Sequence, residues 1–290
     1  MSKKSLNKSK NENMLYSFIF IFIVLIILAI IVFIIIQNNS KNEDYDKEVE
    51  NYEYEPTFLN KDECCHILQK DIDNFYSTFS DLDLEVRKVK NVDEYVNDVI
   101  PKSVEDFDEE LKDKIRKCIY KINKKIPKFK NKYSYLDIDK FLNIPWKIGL
   151  FNKRYECGLP HTRKEYIFLP KERSKNKSDL ELFGTLIHEK VHVYQKLYPD
   201  DIKSFLKENN FHIYKPYLEF KRTEKTRVNS NPDIDEWTYY QNDLNNILHC
   251  EYNENPQSIS DKKCHPKDNS KYEHPLEMMA IILTDELSLE

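Results

Sequence analysis

The order of apolar and polar positions divides the chain into three stretches. Residues 15–36 (LYSFIFIFIVLIILAIIVFIII) run for 22 residues without a charge. As a helix they would reach roughly 33 Å, against a hydrocarbon core of about 30 Å, so the pattern predicts a transmembrane helix. A buried core helix and a cleaved signal peptide are the alternatives. A signal peptide has an apolar region of about 7–15 residues and a small-residue cleavage site. Here the run is longer and closes on Ile34, Ile35, Ile36 and Gln37, which reads as an uncleaved signal anchor. Residues 37–57 are polar and acidic and read as a solvated stalk.

Beyond residue 57 the apolar spacing alternates between helical and strand periods. A short helix is expected within 58–80. Another is expected over 91–99, where Asn91 precedes Glu94 by three in a capping-box pattern. Val104, Phe107, Leu111, Ile115, Cys118, Ile122 and Ile126 recur at spacings of three and four, predicting an amphipathic helix over 103–126 that Pro127 stops. Trp146–Phe151 and Glu165–Leu169 are β-rich runs separated by turn residues around Cys157, Gly158 and Pro160, and they predict a small antiparallel sheet. Residues 170–178 read as a polar loop. Ser178 with Glu181 forms a second capping box, opening a helix from Asp179 to Tyr198 that Pro199 ends.

Charge adds an orientation. Residues 1–14 carry Lys3, Lys4, Lys8 and Lys10 against Glu12, a net +3, while residues 37–55 carry seven acidic side chains against Lys41 and Lys47. The positive-inside rule then places the N-terminus in the cytosol and the remainder in a lumen, outside the cell or on a virion surface. The whole chain carries −5, so the part beyond the anchor carries about −8. No basic stretch is interleaved with aromatics, which gives nucleic-acid binding no support. With 3 Gly, a glycine-rich phosphate loop is excluded. Six Cys follow the anchor: Cys64, Cys65, Cys118, Cys157, Cys250 and Cys264. They have no CxxC spacing. Cys250 and Cys264 bracket a short polar loop and are the expected disulfide, and Cys157 is expected to be buried or bonded. Asn176-Lys-Ser is a glycosylation sequon compatible with this topology.

The helix from Asp179 carries His188-Glu189-Lys190-Val191-His192. Histidines at i and i+4 stand one above the other on one face, so both imidazoles can reach one metal ion. Glu189 is rotated by about 100° from His188, which sets its carboxylate beside a metal. There it can take a proton from a water whose pKa zinc lowers to about 7, then pass that proton to a leaving amine. A catalytic zinc needs a third protein ligand. Glu277 is the best candidate, because Pro275 suits a first helical turn and Leu276, Met279, Ile282 and Leu283 form an apolar stripe behind it. His274, His212, Glu219 and Asp285 are rival ligands. His161, Arg222, Arg227, Tyr239 and Tyr240 are possible oxyanion donors. Glu165–Leu169 is a possible edge for an extended substrate, and Asn231-Pro-Asp233 a turn that could shape the cleft.

His188-Glu189-Lys190-Val191-His192 on one helix, with Pro275-x-Glu277 opening a second, resembles the gluzincin clan of zinc metallopeptidases. The stretches PHTRKEYIFLP, LIHEKVHVYQ, NSNPDIDEW and HPLEMMA are also similar to uncharacterised HExxH proteins encoded by large DNA viruses, over about residues 145–285. The resemblance implies His188, His192 and Glu277 as ligands of one zinc ion per chain and Glu189 as catalytic base. Two departures stand out. His192 and Glu277 are 85 positions apart, longer than many gluzincins use. Ile281 stands where an Asp often follows the ligand Glu by four, so the resemblance names no carboxylate to orient the histidines.

Together these readings predict an α+β chain: a cytosolic segment 1–14, a signal anchor 15–36, a stalk 37–57, a helical part 58–143 and a zincin-like part 144–290 with a small antiparallel sheet. The expected function is a membrane-anchored, zinc-dependent metallopeptidase acting on a peptide or protein substrate. The alternative is a non-catalytic ectodomain that keeps the fold for binding or structure. The pattern does not specify an oligomeric state.

Overall fold

The computed structural model describes residues 26–33, 55–220, 225–227, 237–266 and 273–289. The chain divides into two compact units, Met1–Glu53 and Tyr54–Glu290.

In the first unit, residues 26–33 are helical with exposed side chains. A span needs about 20 residues in one apolar helix. No helix among the described residues is long and apolar enough to cross a membrane. The expectation of an N-terminal transmembrane helix over 15–36 is corrected accordingly. With it falls the single-pass localisation that placed the C-terminal part in a lumen, outside the cell or on a virion. Residues 15–25 and 34–36 of that run, the segment 1–14 and most of the stalk lie outside the described residues.

The second unit is mixed helix and sheet. Its main sheet has strands β1 (Thr57–Phe58), β2 (Val104–Glu105), β3 (Lys147–Phe151), β4 (His161–Arg163) and β5 (Tyr166–Pro170). β3 runs parallel to β5, and β4 closes that side antiparallel to β5, with His161 opposite Phe168 and Arg163 opposite Tyr166. Short β1 and β2 share the other edge of β3, parallel and antiparallel respectively. The sheet is therefore mixed where a small antiparallel one was expected. The turn residues near Gly158 do not return the chain straight into β5. Glu156, Cys157 and Gly158 all have positive φ and redirect it into β4. That strand then makes the hairpin, turning at Lys164 with φ of 50°.

The strands β3 and β5 are apolar throughout because both faces are covered. Ile148, Leu150, Ile167 and Leu169 face one core, shared with α2 (Glu109–Lys125), α4 (Asp179–Leu197) and α6 (Pro275–Leu289). Phe151 and Phe168 face a second core, built with Leu59, Cys64, Leu68, Tyr76 and Tyr95 around α1 (Lys61–Gln69). Gly149 sits at the closest approach, where a Cβ would fall 2.6 Å from Cys64 Sγ and 2.7 Å from the Phe168 ring. Any side chain there would force the layers apart.

Local signals place the helices. Asp108 caps α2 through Leu111 N, so the helix begins six residues later than the apolar spacing predicts. Val104 instead pairs in β2, and Phe107 packs edge-on against Phe58 at 4.8 Å. The segment expected as a polar loop holds the short helix α3 (Lys171–Asn176), with the sequon Asn176 exposed at its end. Ser178 and Glu181 form the full reciprocal capping box of α4. After Tyr198 the chain turns into α5 (Pro199–Glu208).

The remaining strands form two ribbons: β6 (Phe211–Pro216) with β7 (Trp237–Gln241), and β8 (His249–Tyr252) with β9 (Lys262–His265). Cys250 and Cys264 face each other in the second ribbon and are disulfide-bonded. Cys157, expected to be buried or bonded, is exposed and free.

Candidate metal centre

His188, Glu189 and His192 lie in the third and fourth turns of α4, and Glu277 lies in the first turn of α6. The two helices pack along one another through Leu182, Leu186, Leu276, Met279 and Leu283, all buried. That contact brings Glu277 across to the histidines. Glu277 Oε2 is 3.4 Å from His188 Nε2, and Oε1 is 3.4 Å from His192 Nε2. The two Nε2 atoms are 3.1 Å apart. Zinc bound tetrahedrally at about 2.0–2.1 Å separates any two ligands by about 3.3 Å. Each imidazole nitrogen meets a different oxygen of the one Glu277 carboxylate at close to that separation, and one donor atom from each of His188, His192 and Glu277 lies within 4.8 Å of the others, so the three residues could hold a divalent metal ion.

The neighbours favour that use of the nitrogens. His192 Nδ1 donates to Gln195 Oε1 at 2.9 Å, and Gln195 Nε2 donates to Leu276 O at 2.9 Å. The first bond leaves the lone pair of His192 on Nε2, facing the other two donors. Gln195 fills the role for which the resemblance named no residue. Its signal in the sequence is its place three residues after His192, on the same helix face.

Glu189 is 3% exposed, and its Oε2 has no hydrogen-bond partner among the described residues. Burial pushes its carboxyl pKa up. An orphaned, buried carboxylate oxygen is costly, and here it borders the cleft. Burial would also raise Glu277, but the imidazoles of His192 and His188 hold it well below the usual carboxylate range. Burial acts against the His188 imidazolium, yet the adjacent Glu277 carboxylate turns the net shift upward.

The cleft has a volume of about 420 Å³ and is bordered by α4, the α3–α4 connection, Arg227, the β8–β9 ribbon and α6. Lys190, the third residue of the motif, points the other way. It is 1% exposed, donates to Ile144 O at 2.9 Å and lies over Trp146 at 4.1 Å. Burial lowers its pKa to about 7. It serves packing.

The rival ligands lie elsewhere. His274 accepts at Nδ1 from Leu276 N and packs edge-on against Tyr239. His212 stacks on Tyr240 in the β6–β7 ribbon. Glu219 and Asp285 are exposed. Of the proposed oxyanion donors, Arg227 lines the cleft but is bound to Ile259 O at 2.8 Å and to Glu273. His161 is fully buried, donating from Nδ1 to Leu159 O. Arg222 and Asn231–Asp233 lie outside the described residues. Glu165–Leu169, considered as a substrate edge, falls largely on β5, an interior strand between β3 and β4.

No protein-family model matches the chain, and comparisons with curated proteins and with solved structures gave no match.

Proposed function

We propose that the chain is a zinc-dependent metallopeptidase of the gluzincin type, with His188, His192 and Glu277 as metal ligands and Glu189 as general base. The observation that carries this reading is the convergence of three residues: two imidazole Nε2 atoms 3.1 Å apart, each 3.4 Å from one oxygen of the Glu277 carboxylate. It stands beside the buried Glu189, whose Oε2 has no hydrogen-bond partner among the described residues.

Zinc, when bound, supplies Lewis acidity that brings the pKa of a coordinated water to about 7 and polarises a carbonyl. The chain supplies the rest. His192 is held in one tautomer by Gln195, so its lone pair needs no reorganisation. Glu189 Oε2 accepts the proton of the attacking water and returns it to the nitrogen of the leaving amine. Burial pushes its pKa up, in the direction that favours taking up the proton. Desolvation by the surrounding helices strengthens each electrostatic contact in the site.

The test joins two measurements on the purified protein. Metal analysis should find about one zinc per chain. Glu189→Gln should keep that zinc while losing about 10²–10⁴-fold in peptide hydrolysis. Protein that binds no zinc, or a Glu189→Gln variant of unchanged activity, would remove the proposal.

A further inference from the structure

The cleft carries two cations, Arg173 and Lys177, that form no ion pair among the described residues. Arg173, near the end of α3, is exposed on the rim and makes no ion pair among the described residues. Lys177 is half-buried, one residue before the α4 cap, and donates to Thr185 Oγ1. Thr185 is one helical turn before His188, so both cations sit on the side where a substrate would approach the donors. A groove continues from them along Glu181, Gly184 and Thr284.

Most of the nearby acids are held by other groups. Glu181 accepts through Oε2 from Ser178 N at 2.8 Å and Oγ at 2.7 Å; it is exposed, feels the charges of Lys177 and Arg173, and forms an ion pair with neither among the described residues. Glu156 holds Arg87 through two bonds of 2.8 Å. Glu273 faces Arg227 and Lys262, and Glu277 faces the imidazoles. Glu189 is the remaining carboxylate, and the proposal above gives it to proton transfer. Burial lowers the Lys177 pKa, and the neighbouring Arg173 charge pushes it the same way. Two like charges held close, one of them partly desolvated, favour an anion between them.

We infer that Arg173 and Lys177 form a subsite for a carboxylate of the substrate, so that the preferred substrate is an acidic peptide. The inference rests on the metallopeptidase reading for the identity of the ligand as a peptide. The guanidinium offers a planar fork to both carboxylate oxygens, and the ammonium adds a point charge deeper in the cleft. The carboxylate can belong to an Asp or Glu side chain near the scissile bond or to the C-terminus of the peptide.

Binding to the Glu189→Gln protein tests this without turnover. The probes are fluorescein-labelled hexapeptides with amidated C-termini, carrying a single Glu-for-Gln exchange at each position in turn, and the free-acid form of the parent. At least one acidic peptide should bind about tenfold tighter than its neutral counterpart. Gain at one internal position identifies a side-chain subsite, and gain only for the free acid identifies a C-terminal one. The advantage should disappear in Arg173→Gln/Lys177→Gln. In Arg173→Glu it should pass to a Lys-bearing peptide. Arg173 is exposed, so the single Arg173→Gln variant, expected to lose part of the advantage, guards against a folding defect. Equal affinities throughout, no binding, or an acid preference that survives the double substitution would overturn the subsite. Loss of hydrolysis or zinc in the unsubstituted protein, with the acid preference intact, would instead overturn the peptidase reading alone.

Discussion

Gln195 accepts a hydrogen bond from His192 at 2.9 Å and passes one to Leu276 O, one residue before Glu277. One amide thus fixes the tautomer of one proposed ligand and the position of the helix that supplies another. Gln195→Ala should leave the fold intact and weaken zinc binding by about 10–100-fold. Competition against a chromophoric chelator reads this directly, and unchanged affinity would show that helix packing alone positions the site.

Glu277→Ala removes the carboxylate that meets both imidazoles. Zinc occupancy after dialysis should fall markedly, while the helical signal stays, because Met279 and Leu283 keep α6 packed. Full occupancy in that variant would assign the third ligand elsewhere.

Glu189→Gln should also raise the melting temperature of the metal-free protein. The substitution replaces a buried carboxylate oxygen that lacks a partner with a neutral amide. Calorimetry at neutral pH checks it, and a lowered temperature would mean that Glu189 is satisfied in solution.

The Arg87–Glu156 pair joins the N-terminal helical part to the cleft wall. Burial alone would raise the Glu156 carboxyl, but Arg87 and the Tyr95 hydroxyl hold it at about 2. Arg87→Ala leaves that carboxylate buried and uncompensated, at a cost of about 3–5 kcal/mol. Arg87→Met/Glu156→Gln should cost less than Arg87→Ala alone. Urea denaturation of the two variants decides the order.

His161 gives the fold a specific acid sensitivity. Burial holds its pKa down at about 4, against 6.5 for the free side chain, with Glu156 opposing and Arg163 and Lys196 reinforcing the shift. The unfolded chain takes up a proton below 6.5 that the folded chain refuses until about 4. Stability contributed by neutral His161 is therefore present above pH 6.5 and falls as the pH drops to 4, by about 3 kcal/mol in total. His161→Gln should flatten that part of the stability profile.

Much of the centre was legible because it is local. The HExxH spacing places two imidazoles on one helix face by geometry alone, and the Ser178–Glu181 box and Pro199 bound that helix within a residue. Pro275 and the stripe behind Glu277 gave the second helix. At 15–36 hydropathy reports composition, while a span requires one long apolar helix, and no helix among the described residues meets that requirement. The strand directions misled because β3 and β5 carry no mark of what the intervening residues do.

By itself, then, the sequence determined whatever depends on neighbours a few positions away: the helix caps, the paired histidines, and the Cys250–Cys264 bridge across a short loop. Only the tertiary structure decided that Glu277, 85 positions from His192, meets both imidazoles, that Gln195 ties the two helices together, and that Arg173 and Lys177 share a cleft with them. Those relationships are set by how α4 packs against α6 and the sheet, and packing depends on the shapes of whole faces that no local pattern encodes.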